Sequence, residues 1–143
     1  MILKMGAPDS DALLGWFAAT KDRSPAEAGN FVGIHVGGPT RVGHYFTPTY
    51  TTAKGDKGRV KTGPVLTLNK AFEWRLVYDP EANKGNGLLR VTLGKETAEL
   101  PLPRGHRAEG AKLDRFGFCT SPPGGSQLKV YVDDLKYTAR PAR

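Results

Sequence analysis

Side chains suited to proton transfer and ligand binding are concentrated within residues 31–50, FVGIHVGGPTRVGHYFTPTY. Imidazole and phenol groups can exchange protons with a substrate, guanidinium pairs with carboxylate or sulfate, and aromatic rings pack against flat ligand faces. We therefore predict that this stretch contacts a ligand, together with one aromatic residue that precedes it. The predicted contacts are Trp16, His35, Arg41, His44, Tyr45 and Tyr50.

The strand RVGHYFTP divides some of these candidates between two faces, because side chains alternate along an extended chain. Arg41 and Tyr45 share one face, whereas His44 shares the other with Val42 and Phe46. The apolar pair is expected to point into the core. We therefore predict that Arg41 and Tyr45 lie on an exposed surface and that His44 lies on the inner face.

Glycine and proline interrupt the whole chain, with 18 Gly and 11 Pro among 143 residues. Such frequent breaks are incompatible with long helices but suit short strands joined by turns. We predict an all-β fold, a two-sheet antiparallel β-sandwich or jelly roll. The predicted strands are 1–7, 12–19, 30–37, 41–48, 63–69, 72–79, 88–94, 96–103, 113–120 and 128–138, and the lysine-rich segment 53–61 is predicted to be an exposed, mobile loop.

Alternation also assigns faces in the second half of the chain. In the segment FEWRLVYD, Trp74 shares an apolar face with Leu76 and Tyr78, which predicts a buried tryptophan. In the segment LKVYVDDLKYT, the same counting places Asp134 on the apolar face. A carboxylate on that face needs a hydrogen-bonding partner.

Composition limits the classes of function. Cys119 is the only cysteine, which permits neither an intramolecular disulfide nor a Cys-x-x-Cys metal site. The formal net charge of +7 favours anionic partners. We expect no nucleic acid, because no helix-turn-helix, basic helix or aromatic RNA-binding strand is evident, and no membrane, because no apolar run approaches a span. The length predicts one domain, 1–143, that ends in a flexible tail at 139–143.

Three segments between residues 72 and 138 carry a family resemblance: EWRLVYDPEANKGNGLLRVTLG, RAEGAKLDRFGF and VYVDDLKYT. In this order they resemble a bacterial concanavalin A-like (laminin G-like) jelly-roll family found in large multidomain, planctomycete-type proteins. The resemblance implies a concanavalin A-like sandwich in an extracellular or cell-surface protein. It also implies that the chain is the C-terminal part of a longer sandwich. Such a chain would either form a shorter autonomous sandwich or use a second copy, as a homodimer, to cover an exposed sheet edge or face.

The fold of this family hosts several chemistries. Its retaining glucanases carry a Glu-x-Asp-x-x-Glu strand, which is absent here, so we do not expect glucanase-type hydrolysis. Lyases on related jelly rolls use a histidine and a tyrosine for proton transfer, roles that the resemblance offers to His35, His44 and Tyr45. A hairpin turned at Gly-Gly-Pro-Thr would pair the two histidines. Carbohydrate-binding jelly rolls bind a structural calcium in the closing strand, which the resemblance places at Asp133 and Asp134.

Together these features predict a non-catalytic, lectin-like module that binds a polysaccharide, acidic rather than neutral. Two alternatives from other classes stay open. One is a small polysaccharide lyase or glycoside hydrolase that uses His35, His44 and Tyr45. The other is a structural or oligomerising β-sandwich without a small ligand.

Overall fold

The computed structural model describes residues 1–6, 11–18, 30–38, 42–106, 113–120 and 128–138. Within these residues the chain forms eleven β-strands and no helix, which confirms the all-β prediction. Arg41 and the predicted tail at 139–143 lie outside the described residues. No helix in the described part of the chain is long and apolar enough to cross a membrane.

The strands follow the short apolar and aromatic runs of the sequence, and glycine, proline or asparagine flanks many of them. In chain order they are β1 (Ile2–Gly6), β2 (Asp11–Phe17), β3 (Phe31–Gly37), β4 (Gly43–Thr51), β5 (Lys57–Arg59), β6 (Val65–Thr67), β7 (Trp74–Asp79), β8 (Leu88–Leu93), β9 (Glu96–Pro101), β10 (Arg115–Thr120) and β11 (Leu128–Tyr131).

In the part of the chain that the structure describes, one antiparallel sheet contains six strands. Its order is β10-β2-β3-β4-β5, and β6 also pairs with β4. The long strand β4 pairs with β3 on one side and with two short strands on the other. On that second side, its first residues, from Gly43 to Tyr45, pair with β6, and its last, from Thr49 to Thr51, pair with β5. Side chains from β2, β3, β4 and β5 therefore lie next to one another on each face of this sheet.

The opposing layer is built from two smaller sheets. Strands β7, β8 and β9 form an antiparallel meander, and β1 pairs with β11. Strand β1 also contacts the segment before β7, where the amide of Phe72 donates to the Met1 carbonyl at 2.9 Å. A tight turn joins β8 to β9, and Gly94 in it adopts a φ of 59°.

The two layers enclose a common core, so the chain is a β-sandwich. Phe46 of the six-stranded sheet meets Trp74 of the opposing layer edge to face, with ring centroids 6.2 Å apart. Trp74 packs against the core from the predicted face, although part of its side chain is exposed. The buried residues of this hydrophobic core are Met1, Leu3, Ala12, Leu14, Ile34, Val36, Phe46, Leu66, Val91 and Leu93.

Two segments differ from the prediction. Residues 53–61 are mostly exposed but are not simply a loop, because Lys57–Arg59 forms β5 against β4. Strand β11 ends at Tyr131, three residues before Asp134. Because alternation no longer applies there, Asp134 is exposed at a φ of 49° and the prediction that it lies on the apolar face is wrong.

Candidate functional site

A small cleft opens on the outer face of the six-stranded sheet. We call it the histidine cleft; its volume is about 160 Å³ and its lining includes His35, Tyr45, Thr47, Arg59 and Lys61. The first three come from the middle strands of the sheet, and the two cations come from β5 and the residues after it. The cleft therefore joins imidazole, phenol, hydroxyl and cationic groups on one surface.

Strand register explains why these groups meet. In the β3 and β4 pair, His35 lies opposite Thr47 and Gly37 lies opposite Tyr45. On the other side of β3, Asp11 of β2 lies opposite Gly37. Because residues directly opposite share a face, all five positions are on the outer face of the sheet. Phe46, between Tyr45 and Thr47, points into the core.

His35 is held in place by its neighbours on this surface. Its Nε2 lies 3.2 Å from Asp11 Oδ1, and its side chain is only 14% exposed. The imidazole lies over Gly37, where a built Cβ would come within 2.0 Å of His35 Cε1. Glycine at position 37 is therefore required for this ring position.

Burial lowers the pKa of His35 from its ordinary value of 6.5, because desolvation penalises the imidazolium. Asp11 acts in the opposite direction through its charge and hydrogen bond, whereas Arg59 and His44 lower the pKa further. Desolvation prevails, so the ring is neutral at pH 7. With Nε2–H donating to Asp11, Nδ1 carries the lone pair and can accept a hydrogen bond or a proton.

The remaining groups of the histidine cleft are suited to an anionic, hydroxylated ligand. Arg59 and Lys61 are exposed, and Tyr45 is half-buried. Guanidinium can bind a carboxylate or sulfate through two parallel hydrogen bonds, and an ammonium adds a second positive charge. The phenol ring of Tyr45 offers an apolar surface with a polar end.

The structure separates the two histidines that the sequence analysis paired. His44 is 3% exposed and pairs with Leu66 of β6, on the inner face that alternation predicted. His35 pairs with Thr47 instead, so the predicted pairing of His35 with His44 is wrong. The reason is a connection longer than the Gly-Gly-Pro-Thr turn: strand pairing ends at Gly37 and Tyr45, which leaves seven intervening residues, 38–44.

Two of the other predicted ligand contacts, Trp16 and Tyr50, lie elsewhere. Trp16 packs edge to face against Phe116, with ring centroids 5.2 Å apart, on the core side of the sheet. Arg41 lies outside the described residues. Tyr50 lines a second, larger cleft of about 470 Å³, which we call the basic cleft and define by Tyr50, Lys54, Asp56, Lys57 and Arg104.

The predicted calcium ligands are exposed after the end of β11. The amide of Asp134 donates to Asp133 Oδ1 at 2.9 Å. Among the described residues, no group of three or more His, Cys, Asp or Glu side chains is arranged to hold a metal ion. Calcium prefers six to eight oxygen ligands. The calcium site stays a prediction from the family resemblance.

Sequence reasoning missed three members of the site: Asp11, Arg59 and Lys61. Asp11 begins β2 and was not assigned to a predicted strand. A signal for the two cations was present in the alternating Lys57, Arg59 and Lys61, which share one side of an extended chain. No protein-family model, curated protein sequence or solved structure matches this chain.

Proposed function

We propose that this protein is a carbohydrate-binding module whose ligand is an acidic polysaccharide bound at the histidine cleft. The observation that carries the proposal is the convergence of His35, Tyr45, Arg59 and Lys61 in one cleft of the six-stranded sheet. Arg59 and Lys61 bind the carboxylate or sulfate groups, Tyr45 packs against the sugar ring, and Nδ1 of neutral His35 accepts a hydrogen bond from a sugar hydroxyl.

The family resemblance supplies the wider setting of this proposal. We assign the sandwich to the concanavalin A-like jelly-roll type and the module to a bacterial extracellular or cell-surface protein. A polysaccharide ligand fits such a location, because acidic glycans are extended polymers on which one module can bind many equivalent positions. The net charge of +7 supports binding by raising the local concentration of anionic chains.

A second candidate function is β-elimination of a polyuronate. It is favoured by the lowered pKa of His35, which leaves a neutral base in the same cleft as Tyr45. His35 would take the proton next to the uronate carboxylate, a carbon–carbon double bond would form, and the glycosidic carbon–oxygen bond would break. Tyr45 would protonate the departing oxygen, and Arg59 would neutralise the carboxylate. His44 takes no part, because it is buried on the opposite face.

Isothermal titration with a polyuronate, a sulfated glycan and a neutral glucan tests the binding proposal. The double variant Arg59→Gln/Lys61→Gln should lower affinity for the acidic glycans about tenfold or more, because charge-assisted hydrogen bonds are lost. Tyr45→Ala should weaken binding in both low and high salt, since ring packing is not screened. The neutral glucan should bind more weakly than either acidic glycan.

The matched control is Arg75→Gln/Lys95→Gln, in exposed positions of the opposing layer. Each double variant removes two positive charges from the net +7, so only position differs. Equal losses in the two variants would contradict a site at the histidine cleft, and absence of glycan binding would favour a structural module. Release of unsaturated uronate that stops in His35→Gln and Tyr45→Phe would establish the elimination reaction instead.

A further inference from the structure

The basic cleft is a second concave site at one end of the six-stranded sheet, between the β4 and β5 turn and the loop that follows β9. Its volume of about 470 Å³ exceeds the 160 Å³ of the histidine cleft. Lys54, Lys57 and Arg104 contribute three positive charges to the lining, and Asp56 contributes one negative charge. The excess of positive charge favours an anionic group.

One wall of the basic cleft is a tightly bonded turn. The Thr52 amide donates to the Asp56 carbonyl at 2.8 Å, and the Asp56 amide donates to Thr52 Oγ1 at 3.1 Å. Between them, the Gly55 amide donates to the Thr52 carbonyl at 2.9 Å, and Gly55 adopts a φ of 90°. The turn holds the backbone beside Lys54 and Lys57 in place before any ligand arrives, which lowers the entropy cost of binding.

The other wall is fixed by a buried histidine. His106 Nδ1 bonds to the Pro103 carbonyl at 3.2 Å, and His106 Nε2 lies 2.8 Å from the Tyr78 hydroxyl. Since Nδ1–H must donate to the carbonyl, Nε2 accepts from the phenol. The pair connects β7 to the loop that carries Arg104, so the backbone that bears this cation is held in place.

The two clefts are connected by the sheet edge. Every second residue from 57 to 61 is a cation, namely Lys57, Arg59 and Lys61. The pairing with β4 continues past the end of β5, because the Val60 amide donates to the Pro48 carbonyl at 3.2 Å. Lys57 lines the basic cleft, whereas Arg59 and Lys61 line the histidine cleft. Positions 57 and 61 are at most about 13 Å apart, because an extended chain advances about 3.3 Å per residue. A polymer of several sugar units is therefore long enough to reach both clefts.

We propose that the basic cleft is a second anion subsite, which binds a carboxylate or sulfate of the same acidic polysaccharide chain that occupies the histidine cleft. The proposal rests on the proposed function, because it takes the ligand class from there. Lys57 and Arg104 are the anion-binding residues of this subsite. Once one part of a polysaccharide chain occupies the histidine cleft, binding of another part of that chain at the basic cleft is an intramolecular step. A chain that spans both clefts therefore binds more tightly than a short one.

Tyr50 favours a polysaccharide over a nucleic acid at this subsite. Its ring lies across Gly58, where a built Cβ would lie 2.4 Å from Tyr50 Cε1. It also packs against the buried cluster that contains Val32 and Leu102. Single-stranded nucleic acids bind through aromatic faces that are open to bases, and this ring is engaged with the sheet instead.

Titration of the whole chain with a uronate disaccharide and with a long oligouronate tests the proposal. The long ligand should bind the parent at least about tenfold more tightly than the disaccharide. Lys57→Gln/Arg104→Gln should abolish this gain but leave the disaccharide shifts of the His35 to Gly38 amides in a nitrogen–proton correlation spectrum unchanged. Arg75→Gln/Lys95→Gln, with the same charge loss, should retain the gain. A parallel series of sulfated oligosaccharides decides which anion is preferred.

The outcomes separate this proposal from the proposed function. If the long ligand binds the parent and Lys57→Gln/Arg104→Gln equally well, while Arg59→Gln/Lys61→Gln loses affinity, the second subsite is refuted and the first site stands. If no acidic glycan of any length binds, the proposed function itself fails. Tighter binding of an oligothymidylate than of the oligouronate would overturn the assigned ligand class.

Discussion

At the scale of single residues, the position of His35 in the histidine cleft combines burial with a nearby carboxylate. The pKa of His35 should therefore be below 6.5, and it should fall further in Asp11→Asn, because Asp11 raises it. In Arg59→Gln it should rise, since the guanidinium lowers it. Histidine ring resonances followed by NMR from pH 4 to 8 would measure all three values, with His35→Gln to assign the signal.

The same pKa shift fixes the sign of a stability effect. The unfolded chain binds a proton at this histidine more readily than the folded one. The contribution of neutral His35 to the unfolding free energy is therefore fully present above pH 6.5 and is lost as the pH falls through the pKa of the folded state. The unfolding free energy should fall less on acidification in His35→Gln than in the parent. A His35 pKa above 6.5 would contradict the inferred neutral tautomer.

Trp74 is the residue whose removal tests the core. Trp74→Ala should destabilise the chain by about 3 kcal/mol, the lower end of the range for large aromatic residues, because part of the side chain is already exposed. The ring contact with Phe46 would be lost as well. Urea unfolding would measure the change, with Trp74→Phe as a milder variant. A loss below about 1 kcal/mol would show that the contact contributes little.

At the scale of elements, the Tyr78 and His106 pair fixes the loop that forms one wall of the basic cleft. Tyr78→Phe should cost about 1 kcal/mol, the net value of a hydrogen bond between neutral groups. Amide exchange should become faster in residues 104–106 but stay unchanged in the Thr52 to Asp56 turn. Tyr137→Phe is the matched control, because Tyr137 is 81% exposed. If Tyr78→Phe and Tyr137→Phe showed the same amide exchange in this loop, the hydrogen bond between Tyr78 and His106 would not be what fixes it.

Most strands were predictable because they carry an apolar face that alternation reveals. The pattern around Trp74 was correct, as the pairing of Leu76 with buried Val91 shows. Strand β5 was missed because its residues, Lys57, Gly58 and Arg59, carry no apolar signal and extend only by pairing with β4. Lys57 lines the basic cleft and Arg59 lines the histidine cleft, so the least predictable strand contributes positive charge to both clefts.

The candidate site was only partly predictable for a related reason. Alternation correctly placed His44 on the inner face, since that inference needs one strand alone. Which residue faces His35 depends instead on the register between β3 and β4. Register is set by the length of the connection and by packing of the whole sheet, which local composition does not reveal.

At the scale of the whole molecule, strand β10 is one of the open edges of the large sheet in the described part of the sandwich. Strand β10 pairs with β2 alone among the described residues. Phe118 of β10 lies opposite core-facing Leu14 and is 46% exposed. An open edge with an exposed aromatic is a surface on which two copies can pair symmetrically. The homodimer itself stays a prediction from the family resemblance.

We expect the parent to form a dimer as its concentration rises, and Phe118→Lys to shift the equilibrium towards monomer. Salt should affect this association and glycan binding in opposite directions. Two copies that each carry +7 repel one another, so screening strengthens the dimer, whereas screening weakens attraction to a polyanion. Sedimentation velocity and glycan titration at low and high salt would measure both trends. A parent that stays monomeric at high salt and high protein concentration would show that the β10 edge is not an interface between copies.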